Sequence, residues 1–232
     1  MFFPPKPSAS LLALIAANAA PLAGVLLFGW DAAALVLLYW TENLIVGFYN
    51  VLRMALVRMS PPAAHASKLF LIPFFCFHYS GFCAVHGFFL IVLFKVADPN
   101  QAFPSPSLPG PLVFVELLGG VFAALWRNLP PGLLWPMAAL AVSHGVSFVQ
   151  NYLLGGERER FTLKRLMAQP YKRIVLLHVA ILFGAMPVML LGSPTPILAL
   201  LVILKIALDV VLHLQEHKPA QAPAPASANA RP

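Results

Sequence analysis

The chain has 232 residues, of which 60% are hydrophobic and only 10% are charged, and its mean hydropathy is +0.82. Because a soluble domain carries roughly 25% charged residues, this composition excludes a fold that faces water on all sides. The net charge of +7 does not indicate a nucleic-acid partner, since the positive residues lie in short segments between hydrophobic runs.

Long apolar runs predict an all-α fold, a polytopic bundle of transmembrane helices. A helix needs about 20 apolar residues to cross the hydrocarbon core of a bilayer, and within lipid a helix satisfies its own backbone groups. We expect one membrane domain over residues 1–217, followed by a disordered Pro/Ala-rich tail over 218–232. Six runs are long enough to span, and a seventh, 111–126, is shorter: the six are 9–29, 32–57, 69–96, 132–154, 171–191 and 196–215.

Basic residues between the runs predict the topology. Arg58 and Lys68 lie between the second and third runs, and six Lys and Arg residues lie within 157–173. The positive-inside rule places both segments in the cytoplasm, so an even number of crossings must separate them. We therefore expect six spans with both termini cytoplasmic, and an interfacial or re-entrant segment at 111–126. Seven spans are the alternative.

Ionisable residues within the predicted spans are the candidates for function, because such residues are costly in a membrane unless they are paired or face a cavity. At about 100° per residue, three predicted helices each place several polar residues on one face. These faces carry Glu42, Tyr49 and Arg53; His144, Ser147 and Asn151; and Lys205, Asp209 and His213.

Five of the candidates form a predicted metal site. Counting about 1.5 Å per residue from the predicted cytoplasmic ends places most of them at similar depth, and imidazole with carboxylate is a donor set for Zn or non-haem Fe. Glu42 and Lys205 are the candidate catalytic residues. We interpret His86, which this count places nearer the outer side, as an interhelical hydrogen-bonding residue. The candidate ligands are His78, His144, His178, Asp209 and His213.

Several short motifs resemble a known family. They are Tyr39-Trp40-Thr41-Glu42-Asn43 through Asn50, His78-Tyr79-Ser80-Gly81 with His86-Gly87, Ser143-His144, Pro170-Tyr171 followed by His178, and Lys205 with Asp209. Together they resemble the bacterial multi-pass membrane family catalogued as domain of unknown function 6498, over most of residues 31–217. The resemblance implies polar motifs on several membrane helices and no established activity.

The favoured hypothesis is an intramembrane metal-dependent enzyme, a hydrolase or oxidoreductase, that acts on a lipid or lipophilic substrate in the bacterial inner membrane. Membrane lipids are its expected partners. The alternatives are a proton- or ion-coupled small transporter, a haem-binding protein with paired axial histidines, and a serine protease using Ser80. Histidines that only hydrogen-bond between helices are the structural alternative to all four.

Overall fold

The computed structural model describes residues 9–102, 107–130 and 132–216, and for residues 9–18, 101, 102, 111, 209 and 211–216 it describes the backbone alone. The predicted disordered tail, 218–232, lies outside the described residues. Within these ranges every regular element is helical, as predicted. The α-helices are α1 (Ala9–Phe28), α2 (Ala32–Leu56), α3 (Lys68–Phe94), α4 (Pro99–Ala102), α5 (Val113–Arg127), α6 (Leu134–Ser147), α7 (Glu157–Arg160), α8 (Leu163–Ala168), α9 (Tyr171–Leu191) and α10 (Thr195–Glu216).

A π-helix, Phe148–Leu154, continues α6, and 3-10 helices cover Pro62–Ser67 and Gly110–Leu112. The seven apolar runs match helices whose ends lie within two residues of the predicted ones. Three helical segments of the described chain are long and apolar enough to cross a membrane: Ala32–Leu56, Pro62–Phe94 and Leu163–Leu191. The count of six spans stays a prediction.

Local chemistry explains where some of these helices begin and end. Asp31 precedes α2, and its Oδ1 accepts hydrogen bonds from the backbone N–H groups of Ala33 at 2.8 Å and Ala34 at 3.3 Å. This cap satisfies donors that have no partner inside the helix. Gly192 ends α9 with a φ of 65°, a left-handed conformation that glycine adopts without steric cost.

The main core lies where α2, α3 and α5 meet. Trp40 is buried, and its indole Nε1 donates a hydrogen bond to the backbone oxygen of Cys83 at 2.8 Å. A Cβ atom at Gly87 would lie 2.6 Å from Val121 and 2.7 Å from Trp40. The absence of a side chain at Gly87 therefore lets the three helices approach closely, as small residues do in membrane bundles.

Contacts between loops place both basic segments at one end of the bundle. The guanidinium of Arg58 lies 3.0 Å from the carboxylate of Glu159, and the backbone N–H of Arg58 donates to the oxygen of Arg158 at 3.0 Å. Below them a second core cluster packs Met54 of α2 with Leu166 of α8. The two basic segments are therefore neighbours at one end of the helices, and their cytoplasmic placement stays a prediction.

The segment between α3 and α6 enters the bundle and leaves it at the same end. Phe114, at the start of α5, packs on Phe77 and Gly81 of α3, and Val121 packs beside Gly87. Helix α5 therefore runs parallel to α3, and the chain must first return from Phe94 to the level of Gly81. The interfacial or re-entrant placement of 111–126 in a membrane stays a prediction.

Candidate functional site

Glu42 on α2 is held by two other helices. Its Oε2 forms an ion pair with the guanidinium of Arg173 on α9, and its Oε1 lies 3.4 Å from Nε2 of His144 on α6. The side chain of Glu42 is only 13% exposed. A carboxylate this buried is stable as an anion only with such partners. The three residues form what we call the Glu42 cluster.

A cavity of about 290 Å³ adjoins the Glu42 cluster, and we call it the polar cavity. Its volume is near the lower end of the range for small-molecule sites. Arg53 contributes a second guanidinium, which lies 5.7 Å from the ring centroid of Tyr152. The Arg53 Nε is buried and has no hydrogen-bond partner among the described residues. The lining residues are Val46, Tyr49, Asn50, Arg53, His144, Ser147, Gln169, Pro170 and Arg173.

The position of His144 depends on a close approach of α6 to α2. The hydroxyl of Tyr49 donates to the backbone oxygen of Ala141 at 3.1 Å, and its ring stacks near His144 with centroids 6.5 Å apart. A Cβ at Gly145 would lie 2.6 Å from that hydroxyl oxygen. Glycine at this position therefore allows Tyr49 to lie against α6 and orient His144.

On the other side of Arg173, a smaller cavity of about 90 Å³ lies between α2, α9 and α10. We call it the Lys205 cavity. Lys205 Nζ lies 5.5 Å from the ring centroid of Tyr39, within the range of a cation–π contact. Its lining residues are Tyr39, Asn43, Arg173, Leu176, Leu177, Leu201, Lys205 and Leu208.

Three histidines line a third cavity, of about 240 Å³, between α3, α5 and α9. We call it the histidine cavity. His86 Nε2 and His178 Nδ1 are 3.0 Å apart, and His78 Nδ1 lies 2.8 Å from the hydroxyl of Tyr171. The full lining is Phe77, His78, Gly81, Phe82, Val85, His86, Phe114 and His178.

The predicted metal ligands are divided between these places. His144 lies in the Glu42 cluster, whereas His78 and His178 line the histidine cavity. The side chains of Asp209 and His213 lie outside the described residues. Within the part of the chain whose side chains are described, no three His, Cys, Asp or Glu residues are grouped as a metal site would require. These described residues do not fit one shared Zn or Fe ion.

The two predicted catalytic residues have different partners in the structure. Arg173 and His144 hold the carboxylate of Glu42, and Lys205 lies against Tyr39. Their predicted roles in catalysis stay predictions. The hydroxyl of Ser80 donates to the backbone oxygen of Phe77, one turn earlier in α3, at 3.1 Å.

His86 forms the interhelical hydrogen bond expected of it, and its partner is His178. The residue count from the sequence placed these two histidines at different depths. The count for His178 began at Tyr171 and treated that residue as the end of a span, whereas the Tyr171 hydroxyl contacts His78, well inside α3. Two turns further along α9, His178 therefore reaches the level of His86. Because these two nitrogens are within hydrogen-bond distance, an iron and its porphyrin do not fit between them.

Sequence reasoning missed two residues of these sites, Arg173 and Tyr171. Arg173 was counted among the basic loop residues that mark the cytoplasmic side, yet its guanidinium neutralises Glu42. The signal that identifies it is the carboxylate itself, because a Glu within a span requires a cation at the same depth. Tyr171 follows Pro170 in one of the family motifs, and its hydroxyl fixes His78.

Comparison with known proteins identifies a family and no activity. No curated protein and no solved structure matches the chain. One family model, described as a family of unknown function, matches residues 2–226. The chain therefore belongs to the family of unknown function DUF6498.

Proposed function

We propose that this protein is a membrane carrier of small organic anions, in which the anion replaces Glu42 as the partner of Arg173. The observation that carries the proposal is the position of Arg173, which lines both the polar cavity and the Lys205 cavity. Each cavity has a second cation, Arg53 in the first and Lys205 in the second. Cationic side chains therefore continue from one cavity through Arg173 into the other.

Exchange of partners at Arg173 provides a mechanism. A guanidinium binds carboxylates, phosphates and sulfonates through the same paired N–H groups. An anion in the polar cavity lies between the side chains of Arg53 and Arg173, and it competes with Glu42 for Arg173. Because a displaced carboxylate inside the bundle loses its stabilising charge, it takes up a proton. Anion binding and proton uptake are then linked.

The groups that face Glu42 are those of the cluster and its neighbours. Arg173 of α9 and His144 of α6 contact the carboxylate, and Tyr39 lies one turn earlier on α2 with Lys205 of α10 over its ring. His144 stays beside Glu42 when Arg173 turns to the anion.

The metal-dependent enzyme predicted from the sequence stays a prediction, because Asp209 and His213 are part of its ligand set. The described histidines of that set lie in two separate cavities. The carrier is the better supported of the two, because it accounts for the contacts of Glu42, Arg53 and Arg173.

Binding of a permanent anion tests the site directly. Benzenesulfonate stays ionised across the accessible pH range, and benzenesulfonamide has the same ring and sulfonyl group without the charge. We expect isothermal titration of the purified protein to show binding of the sulfonate alone, and tighter binding at lower pH because one proton enters with it. Equal binding of the two compounds would contradict an anion site.

Two variants identify the residues that make the site. Glu42→Gln removes the internal competitor, so we expect tighter sulfonate binding that changes less with pH. Arg173→Gln removes a charged hydrogen-bonding group that contributes roughly 1.5–3 kcal/mol, so affinity falls about tenfold or more. Lys172→Gln, at the exposed neighbouring position, is the matched control. An unchanged pH dependence in Glu42→Gln would show that Glu42 is not displaced.

Flux separates a carrier from an enzyme or a receptor. In proteoliposomes with an acidic exterior, labelled benzenesulfonate should enter faster than in protein-free liposomes, and Arg173→Gln should abolish the difference. Binding without any flux would contradict transport while leaving the anion site in place.

A further inference from the structure

The histidine cavity is separate from the anion route. It shares no lining residue with the polar cavity or the Lys205 cavity. None of its lining residues is Asp, Glu, Lys or Arg. A ligand of this cavity is therefore neutral, because a charged molecule would lose its hydration without gaining an opposite charge.

The cavity opens towards the outer surface of the helices. His78, Phe82 and His178 are exposed, whereas His86 behind them is only 1% exposed. In a membrane bundle such an opening faces lipid, so the ligand reaches the cavity from the bilayer. A lipid-soluble molecule is the appropriate class.

Flat rings dominate the walls. His78 and Phe82 have ring centroids 5.0 Å apart, and Phe82 and His86 have theirs 6.3 Å apart, so one face of α3 carries a continuous column of rings. Phe77 and Phe114 add an edge-to-face pair opposite. Walls of this kind favour a planar aromatic guest, which can stack on them or meet their edges.

The His86–His178 pair adds a polar group with two alternative states. His86 Nδ1 is buried and has no hydrogen-bond partner among the described residues. A neutral imidazole has one N–H donor and one acceptor nitrogen. Because the two rings are hydrogen-bonded at 3.0 Å, exchanging their tautomers makes Nε2 of the exposed His178, which lines the cavity, a donor or an acceptor.

We propose that the histidine cavity binds the ring of a lipid-soluble quinone or its quinol. The oxygen of a quinone accepts a hydrogen bond and that of a quinol donates one, and the histidine pair serves both. The ring itself stacks within the aromatic walls, and an isoprenoid tail leaves through the lipid-facing opening. The inference is independent of the anion carrier.

Two matched probes test the inference. 2,3-Dimethyl-1,4-naphthoquinone and 2,3-dimethylnaphthalene have the same fused rings and differ in the two carbonyl groups. The methyl groups block addition to the exposed thiol of Cys76. We expect saturable binding of one quinone per chain in nanodiscs, measured by absorbance after subtraction of empty nanodiscs. The hydrocarbon should bind about tenfold more weakly, because it lacks the hydrogen bond.

A cavity-filling variant provides the matched control. Gly81 lines the cavity, and a Cβ added there would meet Phe114 at 3.7 Å, an ordinary van der Waals distance, whereas a Cβ at Gly119 on α5 meets nothing within 4 Å. Quinone affinity should fall about tenfold or more in Gly81→Val and stay unchanged in Gly119→Val. His178→Phe should remove the preference for the quinone over the hydrocarbon.

Either of two results would overturn the proposal: equal binding of the two probes to the unaltered protein, or unchanged quinone affinity in Gly81→Val. Neither result affects the anion carrier, because benzenesulfonate binding is measured on residues of the other two cavities.

Discussion

Within the Glu42 cluster, Glu42 and Arg173 differ in how much each depends on the ion pair between them. Glu42 is 13% exposed and Arg173 is 33% exposed, so water reaches the guanidinium more easily than the carboxylate. The charge of the Glu42 carboxylate is therefore the one that needs the ion pair to compensate for its burial. Removing Arg173 leaves a buried anion, whereas removing both charges leaves none.

The first prediction concerns this asymmetry. Arg173→Gln should lower the free energy of unfolding by about 3 kcal/mol, because an unpaired buried charge is strongly destabilising. Adding Glu42→Gln should restore a large part of the loss. Unfolding can be followed in a Cys76→Ser background by the reaction of the buried Cys83 thiol with a dye.

Lys172→Gln is the control for this series, since Lys172 is exposed and adjacent to Arg173. It should unfold at the same temperature as the parent. If the double variant were no more stable than Arg173→Gln, the two charges would not act as a pair.

At the scale of helices, the space around each glycine shows whether a side chain would be tolerated at that position. A side chain at Gly87 would overlap Trp40 and Val121, whereas a side chain at Gly119 meets nothing within 4 Å. Gly87→Ala should therefore destabilise the bundle by about 1–3 kcal/mol through overpacking. Gly119→Ala should be neutral or stabilising, because alanine is the better helix former.

Thermal unfolding of both variants in the same detergent measures this difference. Equal melting temperatures would mean that α2, α3 and α5 do not approach as closely at Gly87 as the structure shows.

Glu116 on α5 holds the preceding loop in place through hydrogen bonds to Ser107 and Leu108. Its carboxylate accepts hydrogen bonds from the hydroxyl and N–H of Ser107 and from the N–H of Leu108. The Ser107 side chain and the Leu108 N–H hold the pKa of Glu116 below its ordinary value. With the pKa lower in the folded state, the stabilisation is present above the unfolded pKa and is lost as pH falls through the folded value.

We therefore expect the amides of Ser107 and Leu108 to exchange faster in Glu116→Gln at neutral pH, and in the parent at acidic pH after correction for intrinsic rates. Asp98→Asn is the matched control, because Asp98 accepts from the N–H of Asn100 in the same segment. Exchange that is equally protected in Glu116→Gln would contradict the role of Glu116.

The long helices could be predicted from the sequence, and the pairing of their side chains could not. Each of the seven apolar runs ends within two residues of a helix in the structure, because a chain in lipid satisfies its backbone groups by forming helices. The partner of Glu42 depends on the rotation of α2 and α9 about their axes, which one sequence does not determine. The count that separated His86 from His178 failed because Tyr171, where it began, lies beside His78 and well inside α3.

At the scale of the molecule, the path of the chain predicts which loops share a side. The contact between Arg58 and Glu159 joins the two basic segments, and the parallel packing of α5 on α3 puts residues 95 and 128 at the other end of α3. Labelling single cysteines in a cysteine-free background with an impermeant maleimide tests this arrangement.

Cysteines at His65 and Arg160 should react from the cytoplasmic side, and those at Asp98 and Asn128 from the other. All four positions are exposed. Labelling of residues 98 and 128 from opposite sides would show that α5 crosses the membrane and that the chain has seven spans.

The π-helix at residues 148–154 continues α6 in one helical segment. The lower part of this segment is the π-helix and its upper part is α6. Tyr152 anchors the lower part, where its hydroxyl donates to the backbone oxygen of Arg53 at 2.6 Å, and His144 lies on the upper part. A helix of this kind differs from an α-helix in rotation per residue. Rewinding it into the ordinary form would twist the upper part and swing the imidazole away from its carboxylate. A change between π-helix and α-helix at residues 148–154 would therefore rotate α6 about its axis. It would change the partners of the Glu42 carboxylate without moving the two basic loops.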